Sequence, residues 1–187
     1  MSRFFIALEL SDKQRHEVAT LQNELKHQLS GVRWVKADGL HLTLKFIGET
    51  DDSNIDLIKN VIDKAARSFK PFELDISGSG VFPSTARARV IWVAVKKGYS
   101  ISTDLADKLD SDLAGIGIKP EKRSYHPHLT LGRIRQPIDE KVIKDMLDAT
   151  DTFITSPALI EGVTLFESIL TRQGAQYRSV HWKRFDN

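Results

Sequence analysis

A four-residue pattern occurs twice in this chain: His41-Leu42-Thr43-Leu44 and, 87 residues later (128 − 41), His128-Leu129-Thr130-Leu131. Each copy alternates polar and apolar residues, the period of a half-buried β-strand, and Thr and Leu suit such a strand. Side chains on a strand point alternately to its two faces. His41 and Thr43 therefore share one face while Leu42 and Leu44 enter a core, and His128 and Thr130 do the same in the second copy. The chain must fold so that two such strands each bury one side and offer the other. Two imidazoles, each with a hydroxyl beside it, can then face each other across one cleft.

The surroundings of the motif repeat as well. Residues 4–8 form an apolar strand, after which Ser11-Asp12 is an N-cap for a helix running to about Leu29, with Val18, Leu21, Leu25 and Leu29 at three- and four-residue steps. In the second half residues 90–95 are again an apolar strand. Ser102 or Thr103 then caps a helix carrying Leu105, Leu109 and Leu113, closed by Gly115 and Gly117. Setting Ile6 against Val93 and Leu8 against Val95 keeps the 87-residue offset of the motifs. Each motif strand leads into a further helix, over 54–69 and 139–149, and then into extended segments over 72–76 and 163–170. Residues 177–185 close the chain as a strand. The strands are short and several connections look like hairpins, so the expected class is α+β rather than a doubly wound parallel sheet. No linker separates the halves, and residues 1–187 are expected to form a single domain of two related lobes.

Composition narrows the chemistry. The chain has 187 residues, 41% hydrophobic and 28% charged, enough to bury a proper core. It has no cysteine, which removes disulfides, thiolate metal sites and cysteine nucleophiles together. The opening apolar run is too short for a signal peptide and soon meets Glu9, Asp12 and Lys13. No apolar stretch approaches the roughly 20 residues that cross a bilayer. The expectation is a cytoplasmic protein with no membrane contact. A net charge of +2 does not suggest a general nucleic-acid binder. The positive residues are nevertheless local: Lys119, Lys122, Arg123, Arg133 and Arg135 flank the second motif with Glu121 the one acid among them, and Arg87 and Arg89 form a second cluster. Such a field around a cleft favours an anionic ligand.

A histidine pair, one protonated and one neutral, can deprotonate a water and protonate a leaving alkoxide in one displacement. A phosphoryl centre suits this pairing because its attacking and leaving oxygens lie on opposite sides. The hydroxyls of Thr43 and Thr130 can donate to non-bridging phosphate oxygens. Arg133 is the nearest arginine able to offset transition-state charge. Five residues beyond His128 it falls on the opposite face of a regular strand, and Gly132 would permit the bulge or strand end that redirects it. One His-x-Thr pattern is weak evidence for chemistry. Two copies at matched positions are strong, since core packing alone favours apolar residues there.

The remaining candidates read more simply. His126-Pro127-His128 is a possible His-x-His metal pair, but no further ligand stands nearby and the first half has no counterpart, so no metal is expected. His16 and His27 sit on an amphipathic helix facing solvent, and His181 is structural. Lys45 shares a face with His41 and Thr43 if the strand continues. Trp34, Phe82, Tyr125 and Phe166 either stack on a base or fill the core.

With these residues the chain resembles the 2H phosphoesterase superfamily, and within it the bacterial and archaeal RNA 2′,3′-cyclic phosphodiesterases, also known as 2′-5′ RNA ligases. The resemblance runs from Arg33-Trp34-Val35 and His41–Gly48 through Gly80-Val81-Phe82-Pro83-Ser84 to Pro127–Arg133 and Leu165-Phe166-Glu167-Ser168. It implies a bilobal α+β fold whose antiparallel sheets line a central cleft with helices outside, and no cofactor. It implies hydrolysis of a terminal 2′,3′-cyclic phosphate on RNA or a nucleotide to a 2′-phosphomonoester. By motif position His41 is then the proton donor and His128 the proton acceptor, with Thr43, Thr130 and Arg133 holding the phosphate. The expected partner is RNA with a cyclic phosphate end, or a cyclic nucleotide, met by a monomer with no obligate protein partner. Two alternatives stay open: ligation of RNA ends through a 2′-5′ bond by the same residues, and a non-catalytic module that binds RNA ends.

Overall fold

The computed structural model describes residues 2–171 and 174–186. In chain order the elements are β1 (Ser2–Glu9), α1 (Asp12–Gln28), β2 (Val32–Trp34), β3 (His41–Thr50), α2 (Asp52–Ala66), β4 (Phe72–Leu74), β5 (Ile76–Phe82), β6 (Val90–Val95), α3 (Tyr99–Ala114), β7 (His128–Ile134), α4 (Glu140–Thr150), β8 (Ala158–Ile160), β9 (Gly162–Thr171) and β10 (Gly174–Arg184). One four-stranded sheet has the order β10-β9-β1-β3 and a second has β2-β7-β6-β5, while β4 and β8 form a small pair. All of these pairings are antiparallel, and the class is α+β. Among the described residues no helix is long and apolar enough to cross a membrane.

Local chemistry marks the start of three helices. Ser11 and Gln14 close a capping box at the start of α1, each side chain taking the other's backbone N–H. Asp139 caps α4 through Lys141 N. The α3 helix corrects the sequence reading: it begins at Tyr99, directly after Gly98 at φ 81, and Ser102 lies buried inside it. The left-handed turn that only glycine adopts readily starts this helix, and no side chain caps it. The apolar faces of both sheets meet the helices: Leu42, Leu129, Ile6 and Val93 are fully buried together with Val18, Leu105 and Leu109. Truncating Leu129 to alanine would cost about 3 kcal/mol.

The two motif strands carry the same irregularity. On β3, Thr43 pairs with Ala7 but Lys45 pairs with Ile6, leaving Leu44 as an extra residue. On β7, Thr130 pairs with Trp92 but Gly132 pairs with Ile91, leaving Leu131 extra. Each is a β-bulge three residues after a motif histidine, and each reverses the inside–outside alternation beyond it. The register also corrects the repeat offset for the partner strands. Leu8 pairs with Leu42 and Val93 with Leu129, so Leu8 corresponds to Val93, 85 residues away (93 − 8), and not to Val95. A two-residue slip keeps every apolar side chain on the same face, so the hydrophobic pattern does not distinguish the two registers.

Candidate active site

His41 begins β3 on the polar face of its sheet, partly buried among aromatic rings. Phe5 stacks on the imidazole at 4.6 Å and Tyr177 meets it edge-on at 5.1 Å, with Phe166 at 6.1 Å. This apolar wall penalises the charged imidazolium and pushes His41 down to about 4. A hydrogen bond to the Gly39 backbone opposes the shift, and the Arg15 charge adds to it.

His128 begins β7 in a matching way. Its Nδ1 donates to the backbone carbonyl of His126 across 2.7 Å, so both motif histidines bond the backbone two residues upstream. For His128 this bond leaves Nε2 free for chemistry. Phe82 lies edge-on at 5.0 Å and Trp92 at 6.1 Å. Thr43 and Thr130 follow their histidines on the same faces, half-buried. Strands β3 and β7 come together, and the Tyr125 hydroxyl donates to the Thr43 carbonyl across 2.8 Å. Burial raises the Tyr125 phenol above its ordinary value and keeps it a donor.

The β7 bulge decides the place of Arg133. Beyond Leu131 the alternation reverses, so Ile134 is buried and Arg133 stands exposed on the face of His128 and Thr130. Gly132 sits where a side chain would meet Val32 Cγ1 at 2.7 Å. The bulge frees the Leu131 carbonyl from the β6 ladder, and Val35 N (2.9 Å) and Gln22 Nε2 (2.8 Å) satisfy it. The Arg133 charge is felt at Tyr177, where it opposes the upward shift that burial imposes on the phenol. Arg133 thus lies on the side of Tyr177, the ring that meets His41 edge-on.

The β3 bulge overturns the expectation for Lys45. It turns inward, 2% exposed, and its ammonium meets Asp110 Oδ1 at 2.5 Å and the Lys119 carbonyl at 2.8 Å. It does not share the face of His41 and Thr43, because the extra residue Leu44 reverses the face on which it emerges. His126 Nδ1 lies 3.4 Å from the Tyr99 hydroxyl. His181 binds Asp63 at 2.6 Å on the helix side of its strand, and His16 and His27 are exposed on α1. Phe82 and Phe166 flank the histidines, Trp34 packs against the core, and Tyr125 bridges the strands.

Sequence reasoning passes over two positioning residues. Gln22 holds both the Leu131 and Val35 carbonyls from α1, and it is 2% exposed. An amide beside Leu21 and Leu25 on an apolar stripe is the signal, since a buried amide has to find partners. Tyr125 reads in the sequence only as an aromatic; its hydroxyl is what matters.

Known proteins resemble this chain in sequence and share its fold. The family described as LigT like Phosphoesterase matches residues 8–92 and 102–177. An RNA 2′,3′-cyclic phosphodiesterase of Methanothermobacter thermautotrophicus is 34% identical over 175 residues, covering 94% of each chain. One from Aquifex aeolicus is 31% identical over 173 residues, covering 91% of this chain and 90% of its own. In fold, the crystal structure of E. coli LigT complexed with 3′-AMP superposes with a TM-score of 0.77 at 22% identity, covering 100% of this chain and 99% of that one. The crystal structure of a Thermus thermophilus protein reaches 0.81 at 23% identity, covering 96% of each. The likeness takes in both motif strands, both sheets and nearly the full length: this chain belongs to the LigT-like family of 2H phosphoesterases and is a phosphoesterase.

Proposed function

We propose that the protein hydrolyses the terminal 2′,3′-cyclic phosphate of RNA or of a nucleotide to a 2′-phosphomonoester. The observation that carries this reading is the pair of His-x-Thr strands, each bulged three residues after its histidine and each holding its imidazole by a backbone bond two residues upstream. Relatives named RNA 2′,3′-cyclic phosphodiesterase support the substrate class.

In the proposed displacement His128 takes a proton from water as its oxygen bonds to phosphorus. The P–O3′ bond breaks and His41 gives its proton to the departing oxygen. The two imidazoles end with their protonation exchanged, and solvent resets them. Thr43 and Thr130 donate to the non-bridging oxygens, and Arg133 offsets the charge that builds on them. His41 by itself is neutral at pH 7, because burial holds it near 4. The negative phosphate supplies what the aromatic wall withholds and draws a proton onto the ring. Once protonated, a ring of low intrinsic pKa gives its proton up readily. Both proton transfers are then accounted for by side chains, so the reading calls for no metal and no cofactor. We place the activity in the cytoplasm and in a monomer.

The test is incubation of the purified protein with a short RNA ending in 2′,3′-cyclic phosphate, with and without EDTA, followed by identification of the phosphate isomer. The expected product is the 2′-phosphate, formed equally well with chelator. A 3′-phosphate would mean that the histidine roles are reversed. Loss of turnover with EDTA, restored by one divalent ion, would move the chemistry to a metal at His126 and His128.

A further inference from the structure

We infer that Arg33 binds the phosphodiester immediately 5′ to the terminal nucleotide, so that the site takes an RNA strand in preference to a cyclic mononucleotide. This rests on the proposed hydrolysis of cyclic phosphate ends. Arg33 stands directly opposite Arg133 in the register of β2 and β7. Directly paired residues of an antiparallel pair project from the same face with Cβ atoms about 5 Å apart, and like charges so placed repel. Val32 and Ile134, the neighbouring pair, turn toward the core, which puts both arginines on the cleft side. Both are exposed, and among the described residues neither has a carboxylate at ion-pair distance. Two unneutralised guanidiniums side by side are a site for anions.

The geometry separates the tasks of the two. Arg133 lies on β7 in line with His128 and Thr130, whereas Arg33 lies one strand further out, on the edge of the sheet. Its Nη2 reaches across to β10 of the other sheet, 2.7 Å from where a Cβ on Gly174 would stand. Glycine there, at φ 126, leaves room for the guanidinium. Next along the same edge, Tyr177 packs on Gly39 and on His41. Arg33 therefore sits at the His41 end of the cleft, outside the phosphate position set by the motifs. His41 protonates the ribose 3′ oxygen, so the ribose lies at this end, and its 5′ oxygen leads the strand outward. A phosphate attached there is the next anion along the chain, and Arg33 is the cation beside it.

The experiment compares three substrates with the same terminal nucleoside: the 2′,3′-cyclic mononucleotide, a tetranucleotide ending in it, and that tetranucleotide with a neutral methylphosphonate as its last internucleotide link. Wild-type protein should favour the tetranucleotide in kcat/KM, and the methylphosphonate should remove that preference. Arg33→Ala should lower the tetranucleotide-to-mononucleotide ratio about tenfold, respond no further to the methylphosphonate, and reduce the salt slope of RNA binding by about one. Arg33→Lys should keep part of the ratio, which a folding defect would not allow. Equal loss on mononucleotide and tetranucleotide, or no change on either, would overturn the inference. If the wild type cleaves no substrate, the hydrolytic reading fails by itself. Affinities for the same RNAs then decide the role of Arg33, which requires Arg33→Ala to weaken the charged strand but not the methylphosphonate one.

Discussion

The hydroxyl of Tyr125 donates to the backbone carbonyl of Thr43, 82 residues apart in sequence and 2.8 Å apart in space. Tyr125 lies three residues before His128, so this one bond ties the approach to the second motif onto the strand of the first. The spacing of the two imidazoles depends on how β3 and β7 sit against each other, and Tyr125 helps to fix it.

Tyr125→Phe should therefore act on both stability and turnover. Removing the hydroxyl leaves a part-buried carbonyl without its donor, at a cost of about 1 kcal/mol, readable by urea denaturation. Loosening the two strands should lower kcat about tenfold while KM changes little, because misplacing reacting groups penalises the displacement more than binding. An unchanged kcat would mean that the strands hold their spacing without this bond.

Gln22 offers a test of the bulge. Gln22→Leu removes a donor from the Leu131 and Val35 carbonyls and should cost about 1–2 kcal/mol. If the bulge exists to bring Arg133 into the cleft, Gln22→Leu should share its kinetic effect with Arg133→Ala. We expect Arg133→Ala to lower kcat by about 10², and the double variant to lose clearly less than the product of the two. Strict additivity would show that Gln22 acts on the fold alone.

The aromatic wall around His41 predicts a pH dependence of stability. With a folded pKa of about 4 against an ordinary 6.5, the native state binds fewer protons than the unfolded chain between those values. Stability from this group is thus complete above about pH 6.5 and is lost as pH falls toward 4, by at most about 3 kcal/mol. Denaturation from pH 7.5 to 4.5 should show His41→Gln losing less stability than the wild type over this window. Inorganic phosphate should raise the titration midpoint of the His41 ring in NMR. A His41 midpoint near 6.5 in the free protein would remove the basis for this prediction.

What is legible in the sequence follows physical lines. The motif faces follow from period-2 alternation, and Ser11 with Gln14 is a local capping signal that tertiary context leaves alone. Bulges are different. An extra Leu in a Leu-rich strand changes no local pattern, so Lys45 reads as sharing the face of His41 and Thr43 when the fold buries it against Asp110. Gly132 allows a redirection of Arg133, but the carbonyl partners that stabilise it, Gln22 and Val35, come from elements about a hundred residues away in sequence. The β1 to β6 correspondence slips by two because a two-residue shift is invisible to hydrophobicity. Gly98 starts a helix four residues before the hydroxyl cap expected at Ser102, since a positive φ is not written in polarity.

The proposed displacement divides its two proton transfers between His41 and His128. It is tested most directly by kcat of His41→Ala, His128→Ala and the double variant on an RNA ending in 2′,3′-cyclic phosphate. Each single change should lower kcat by about 10²–10⁴, and the double should lose far less than the product of the two, as groups acting on one transition state do. Near-normal kcat in either single variant would contradict the account.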